Sequence, residues 1–271
     1  FGYRIAILAS SSFALIFAAD NGWSETYQLM ALMMLVGILG VLICPETKND
    51  NLKKLNFQNS IIEPLKDFFS RFGLYLASFI LMIIATYRLT DIVMGPMASP
   101  FYLEKGYTLK EIGYIVKVVA VLTSILGFFL GGLFVKRFGV KVTLIFGAIL
   151  VLLTNISFSF VAVLEKDLYL LGIIVGFDSL AAGVVGTANI TFLTSLVSKK
   201  YTAVQYALLT SFMMLPGKIF SGFSGVLANS FKAQFGVESG WMSFFVFTSL
   251  LTIPSLLLLI FYLKKNQLND A

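Results

Sequence analysis

Long apolar runs separated by short polar connections dominate this chain. Eight can be marked, at approximately 3–19, 26–44, 74–98, 111–135, 142–163, 169–197, 203–229 and 241–263. Each meets the spanning length of roughly 17–25 apolar residues. A spanning segment must satisfy its own backbone hydrogen bonds. Helices do so, and runs this long and uniformly apolar do not suit barrel strands. The pattern predicts an all-α polytopic membrane protein.

The stretch from Leu74 to Pro100 departs from the pattern in one respect. Leu74 to Thr86 carries no charge, and then Arg88 and Asp91 stand in the middle of the apolar run. An ionised group there costs at least about 2.5–3.5 kcal/mol. At i, i+3 the two share one helix face and can pair. They read either as part of a substrate or proton site, or as an ion pair that locks this helix to a neighbour. Met94-Gly95-Pro96 follows, where the helix is expected to kink or open.

Composition narrows the function classes. Hydrophobic residues make up 58% of the chain and charged residues 13%, which places it in a membrane. Cys44 is the one cysteine and histidine is absent, so the sequence holds no internal disulfide, Cys metal site or His base. Neither a metal nor a cofactor is expected. The net charge of +6 is scattered between apolar runs, a bias of cytoplasmic loops and not of a nucleic-acid surface. The chain begins at Phe1, close to an apolar run, and its natural start is expected to be missing.

Lys and Arg in the connections set the orientation. With the 45–73 loop inside, thirteen basic residues lie on the inner side and four, Lys105, Lys110, Lys166 and Lys232, on the outer. That loop is the one clear boundary. Its first part is Asn- and Lys-rich, and 61–71 alternates apolar and charged residues, as in a short amphipathic helix on the inner surface. The division expected is 1–44 as two helices, 45–73 as the loop, 74–263 as a six-helix bundle and 264–271 as a cytoplasmic tail.

Five charged residues lie inside spans: Arg88, Asp91, Lys117, Asp178 and Lys218. From the helical rise, Lys117 falls about 9 Å below the outer end of its span, and the others fall at or slightly outward of the midplane. Snorkelling charges would sit at helix ends. A shared depth points instead to one polar cavity near the midplane, where transporters bind substrate. Three cations and two carboxylates would suit a small anionic substrate, and either carboxylate could carry a proton. Asn155, Ser179, Asn189 and Gln205 add neutral donors and acceptors, or hydrogen-bond helix to helix. Gly127, Gly131, Gly132, Gly183, Gly186, Gly217, Gly222 and Gly225 are spaced for close helix packing.

Enzymatic signatures do not emerge. HEXXH and Gly-x-Ser-x-Gly are absent. Pro216-Gly217-Lys218 fails as a phosphate loop because Ile219 and Phe212 stand where Ser or Thr and an earlier Gly are needed. A membrane-embedded acyl- or glycosyl-transferase would need a nucleophile or base near the membrane surface, and none is convincing. The expectation is a transporter and not an enzyme, with lipid, a small anion and protons as partners. The oligomeric state stays open.

Resemblance adds to this reading. The inner-side turn from Gly132 to Lys141 resembles the short basic loop of the major facilitator superfamily, G-x-x-x-D-R-x-G-R-K. Gly132, Arg137, Gly139 and Lys141 match, while Lys136 and Val140 depart from it. Phe1-Gly-Tyr-Arg4, Pro64-Leu-Lys-Asp-Phe-Phe69 and Gln205-Tyr-Ala-Leu-Leu209 together resemble the AmpG family of muropeptide permeases, which belong to that superfamily and are similar to acetyl-coenzyme A transporters. Arg88 three before Asp91, Lys117, Asp178 and Lys218 fit the same family. The resemblance implies a major-facilitator-like bundle that imports anhydro-muropeptides across the bacterial inner membrane, driven by protons. It also implies that the eight spans lack the first four of twelve, and that a lone half would not transport. Transport of another organic anion, a nucleotide or an acyl-coenzyme A, and an inactive partial product are the alternatives.

Overall fold

The computed structural model describes residues 6, 10, 13–44 and 57–269, without the side chains of 57–60, 116–117 and 264–269. Among the described residues there is no strand. The helices are α1 Ala14–Asn21, α2 Trp23–Ile43, α3 Phe57–Tyr87, α4 Leu89–Glu104, α5 Leu109–Glu111 and α6 Ala120–Val163, with a π-helical stretch Ile112–Val119 between the last two. They continue as α7 Leu168–Leu196, α8 Thr202–Ser221, α9 Ser224–Phe235, α10 Val237–Leu250 and α11 Ile253–Asn269. Most of the expected first span and the Asn- and Lys-rich part of the 45–73 loop lie outside the described residues.

Two glycines divide helices that would otherwise run too far. Gly73 has φ 71° and Gly139 has φ 81°, conformations that a residue with a Cβ rarely takes. The first separates the amphipathic segment of α3 from its span. The second folds α6 into a hairpin. The Phe134 and Phe146 rings stack at 5.1 Å, although twelve residues of straight helix would hold them about 18 Å apart. Both arms lie on α7, since a Cβ on Gly131 would meet Val184 Cα at 2.9 Å and one on Gly147 would meet Val185 Cγ2 at 2.7 Å.

Among the described residues, five helical stretches are long and apolar enough to cross a membrane: Trp23–Ile43, Ile61–Glu104, Leu109–Val163, Leu168–Leu196 and Val237–Leu263. Leu109–Val163 holds two of the expected spans, folded at Gly139. The run expected at 203–229 is divided between α8 and α9 by a turn at Gly222 and Phe223. The last helix continues to Asn269 instead of ending near 263, because nothing between Leu263 and Asn269 is Gly or Pro.

The interruption expected at Met94-Gly95-Pro96 falls elsewhere. α4 passes through Pro96 and Pro100, and the chain breaks about two turns earlier, at Arg88, with φ −102° and ψ 6°. The break lies where the charged pair enters the apolar run.

Close backbone approach holds α6 to α7. A Cβ on Gly183 would come within 2.5 Å of Ser124 O and 2.8 Å of Gly127 Cα, and one on Gly127 would run into Leu180 O. Small residues at such a crossing let helices pack by van der Waals contact where lipid offers no hydrophobic driving force. Gly186 and Gly217 are also packed as expected, against Phe128 and Ile92, whereas Gly132 meets nothing within 4 Å.

Two apolar cores result. One gathers Phe68, Ile80, Ile84, Leu144, Ala188 and Leu259. The other gathers Phe101, Phe158, Leu171, Trp241, Phe244 and Phe245. In sequence the polar positions fall between the two groups: Thr154 and Asn155 within α6, Asp178 within α7, Arg88, Thr90 and Asp91 at the α3–α4 junction, and Thr252 between α10 and α11. The four expected outer lysines are all paired: Lys105 with Glu238, Lys110 with Asp20, Lys166 with Glu111 and Lys232 with Glu104.

Candidate functional site

The polar layer begins at the break after Tyr87. The Tyr87 hydroxyl donates to Leu144 O at 3.1 Å, which fixes the end of α3 against the second arm of α6. Arg88 then turns its side chain to Asp91, with Nε 3.3 Å from Oδ2 and about a quarter of each side chain exposed. The pair lacks the alignment of a hydrogen bond, and Arg88 Nε has no hydrogen-bond partner among the described residues. Thr90 and Thr252 share a hydrogen bond of 2.8 Å, which ties the start of α4 to the turn before α11.

The second arm of α6 supplies the opposing groups. Asn155, 1% exposed, lies against the Asp91 carboxylate, and its Nδ2 makes no hydrogen bond of good geometry among the described residues. Its neighbour Thr154 donates to Asp178 Oδ1 at 2.9 Å. Asp178 lies near enough to Asp91 for the two carboxyl groups to belong to one layer. Arg88, Asp91 and Asp178 are therefore brought together by three elements, α4, α6 and α7. A cation, two carboxylates and two imperfectly used donors in one partly buried layer can hold a polar ligand, order water or pass a proton.

The other two expected residues differ. Lys117 lies on the π-helical stretch, and its side chain is outside the described residues. Lys218 is exposed on α8, next to the crossing where Gly217 faces Ile92, and has no ion-pair partner among the described residues. The described side chains thus gather one cation, Arg88, with two carboxylates, while Lys218 stands exposed on α8. Lys218 stands among exposed Leu215, Ile219 and Phe220, each 56–57% exposed. An ammonium among such neighbours would cost at least about 2.5–3.5 kcal/mol against lipid.

Of the neutral groups, Asn189 and Gln205 serve helix contacts. Asn189 Nδ2 donates to Met213 Sδ at 2.9 Å. Gln205 uses all four of its hydrogen-bonding sites. Its Nε2 donates to Pro64 O at 2.8 Å and Asp67 Oδ2 at 2.9 Å, and its Oε1 accepts from Ser198 N at 2.7 Å and Arg71 at 3.1 Å. Arg71 also pairs with Asp67 at 3.0 Å. This clasp fastens the amphipathic segment to the start of α8. Sequence reasoning missed Thr154 as a partner of Asp178. A threonine within an apolar helix usually bonds its own backbone, and no spacing betrays the exception.

At the other end of the α6 hairpin, Gly139 is the hinge of the turn. Arg137 sits over the Phe138 ring at 5.5 Å, Lys141 over the Tyr262 ring at 5.2 Å, and Gly132 is exposed without close neighbours.

Comparisons with known proteins agree with this architecture. Residues 1–221 match the family profile described as Major Facilitator Superfamily. The chain is 32% identical over 273 residues to the protein called AmpG 4 in Rickettsia felis, covering 98% of this chain and 63% of that one. It is 31% identical over 282 residues to AmpG 1 of Rickettsia conorii, with 98% and 65% covered. It is 30% identical over 276 residues to the Anhydromuropeptide permease of Escherichia coli K12, with 99% and 54% covered. The chain thus spans between about half and two thirds of these relatives' lengths.

Proposed function

The chain belongs to the Major Facilitator Superfamily, and we propose that it serves in a proton-coupled secondary transporter that imports anhydro-muropeptides across the bacterial inner membrane. The observation that carries the proposal is the polar layer of Arg88, Asp91, Asn155, Thr154 and Asp178, set between two apolar cores. Ionisable groups inside a membrane bundle are expensive to keep and mark substrate or proton pathways. A relative named Anhydromuropeptide permease supports the choice of substrate.

Residues 74–263 form one six-helix half in this reading, and 1–44 belong to the other, with 45–73 joining them on the cytoplasmic side. The cavity lies between the halves. Arg88 binds a carboxylate of the peptide stem, since an arginine matches that geometry. Asp178 exchanges the proton, because it has no cation within four residues along its own helix. Lys218 and Lys117 face the same cavity, and exposed Lys218 is accounted for by an aqueous cavity or opposing half in front of α8. Alternating access rocks the halves around this layer, with the Gly132–Lys141 turn, through Arg137, Gly139 and Lys141, guarding the inner opening.

The test is uptake of radiolabelled anhydro-muropeptide into inverted or right-side-out vesicles that contain the complete transporter in which this chain serves, with and without an imposed proton gradient. Saturable, gradient-driven uptake competed by unlabelled muropeptide is expected. Competition by a nucleotide or an acyl-coenzyme A instead would reassign the substrate.

A further inference from the structure

The hairpin turn of α6 carries a second feature, a groove, beyond the guarding role given to the turn itself. Around Gly139 a groove of about 470 Å³ opens between the turn, the inner end of α7 and Tyr262 on α11. Its lining contains Lys141 and Ser195 and no acidic residue. Lys136 and Arg137 immediately precede the lining segment 138–142, which holds Lys141, and none of the three forms an ion pair among the described residues. The contrast with the outer side is sharp, because each of the four outer lysines has an acidic partner.

The apolar surroundings are equally specific. Lys141 is held over the Tyr262 ring at 5.2 Å, which keeps its ammonium in the groove. Phe138 is 50% exposed and Val142 44% exposed at the same turn. Cations beside exposed apolar side chains, at the end of two membrane-crossing arms, reproduce the chemistry of the boundary between headgroups and acyl chains. The excess of basic residues puts this end on the cytoplasmic side. Basic pockets between helices on that side take anionic headgroups.

We infer that this groove binds the phosphate headgroup of an anionic phospholipid of the inner leaflet, with Lys141 and Arg137 meeting the phosphate and Phe138 and Val142 meeting the acyl chains. A small soluble anion would use the cations and leave Phe138 and Val142 unexplained. The inference rests on the orientation and the groove, and holds whichever substrate the protein carries.

Native mass spectrometry of the purified full chain, equilibrated with equal amounts of phosphatidylglycerol and phosphatidylethanolamine, tests it. Preferential retention of phosphatidylglycerol is expected. Lys141→Gln and Arg137→Gln should each weaken that preference by roughly fivefold, and Lys141→Arg should keep it. Lys199→Gln, on a different inner turn, should leave it unchanged. Each variant is first checked for unaltered helicity and melting temperature, and Lys141→Ala, with the same expected loss, serves if the glutamine variant fails that check. Equal retention of the two lipids by the wild type, or an unchanged preference in the Lys141 and Arg137 variants, would overturn the inference. So would full displacement of the lipid by inorganic phosphate, which would assign the groove to a soluble anion.

Discussion

Thr154 donates its hydroxyl to Asp178 across 2.9 Å, and so joins the second arm of the α6 hairpin to α7 at the depth of the Arg88–Asp91 pair. Without that bond the carboxylate would face an apolar interface with no protein donor among those described. Thr154→Val should therefore raise the energetic cost of an ionised Asp178. A gradient-driven uptake rate reduced severalfold, with folding intact by circular dichroism, is the expected result. An unchanged rate would show that the hydroxyl is dispensable.

The Arg88–Asp91 pair should behave as a unit. Removing one partner of a buried pair costs about 3–5 kcal/mol, and a quarter of each side chain is exposed here, so the lower end applies. Arg88→Leu and Asp91→Leu should each lower thermal stability in detergent. The double variant should recover most of the loss while uptake stays absent. Additive destabilisation in the double variant would argue that the two do not pair.

Much of this architecture is legible in the sequence, for identifiable reasons. Apolar run length depends only on bilayer thickness, and the hairpin at Gly139 follows from a basic turn with a glycine. The rule that proline disrupts helices puts a kink or opening at Met94-Gly95-Pro96, yet α4 accommodates Pro96 and Pro100 and the chain turns at Arg88. Depth along the helices brought Arg88, Asp91 and Asp178 to one layer. Depth carries no rotation, however, and Lys218 emerges on the exposed face of α8. Partners distant in the chain, such as Gln205 and Asp67, are also invisible to spacing.

The Gln205 clasp predicts a local effect. Gln205→Leu leaves the Pro64 carbonyl and the Ser198 N–H without their partner, at about 1–3 kcal/mol for each group that stays dry. Limited proteolysis should then cut the 57–72 segment faster, while the membrane-spanning core keeps its protection. Equal cleavage rates in wild type and variant would show that the clasp does not hold the segment.

The crossing of α6 and α7 predicts a contrast between two glycines. Gly183→Val has no room, with Ser124 O 2.5 Å from a Cβ, and should cost about 1–3 kcal/mol or more. Gly132→Ala meets nothing within 4 Å and should be neutral or slightly stabilising. Melting temperatures of the two purified variants check this, and equal shifts would contradict the packing.

Orientation can be read in intact cells. Single cysteines at Ser60 and Gln267, in a Cys44→Ser background, should resist an impermeant maleimide added outside. Labelling at both positions from outside would invert the topology, and with it the side on which the Gly139 groove opens.

The central claim is that the polar layer couples proton movement to transport, and Asp178→Asn tests it most directly. Vesicles containing this variant should exchange labelled for unlabelled anhydro-muropeptide at near the wild-type rate, yet fail to accumulate it when a proton gradient is imposed. Accumulation equal to that of the wild type under the same gradient would contradict the account.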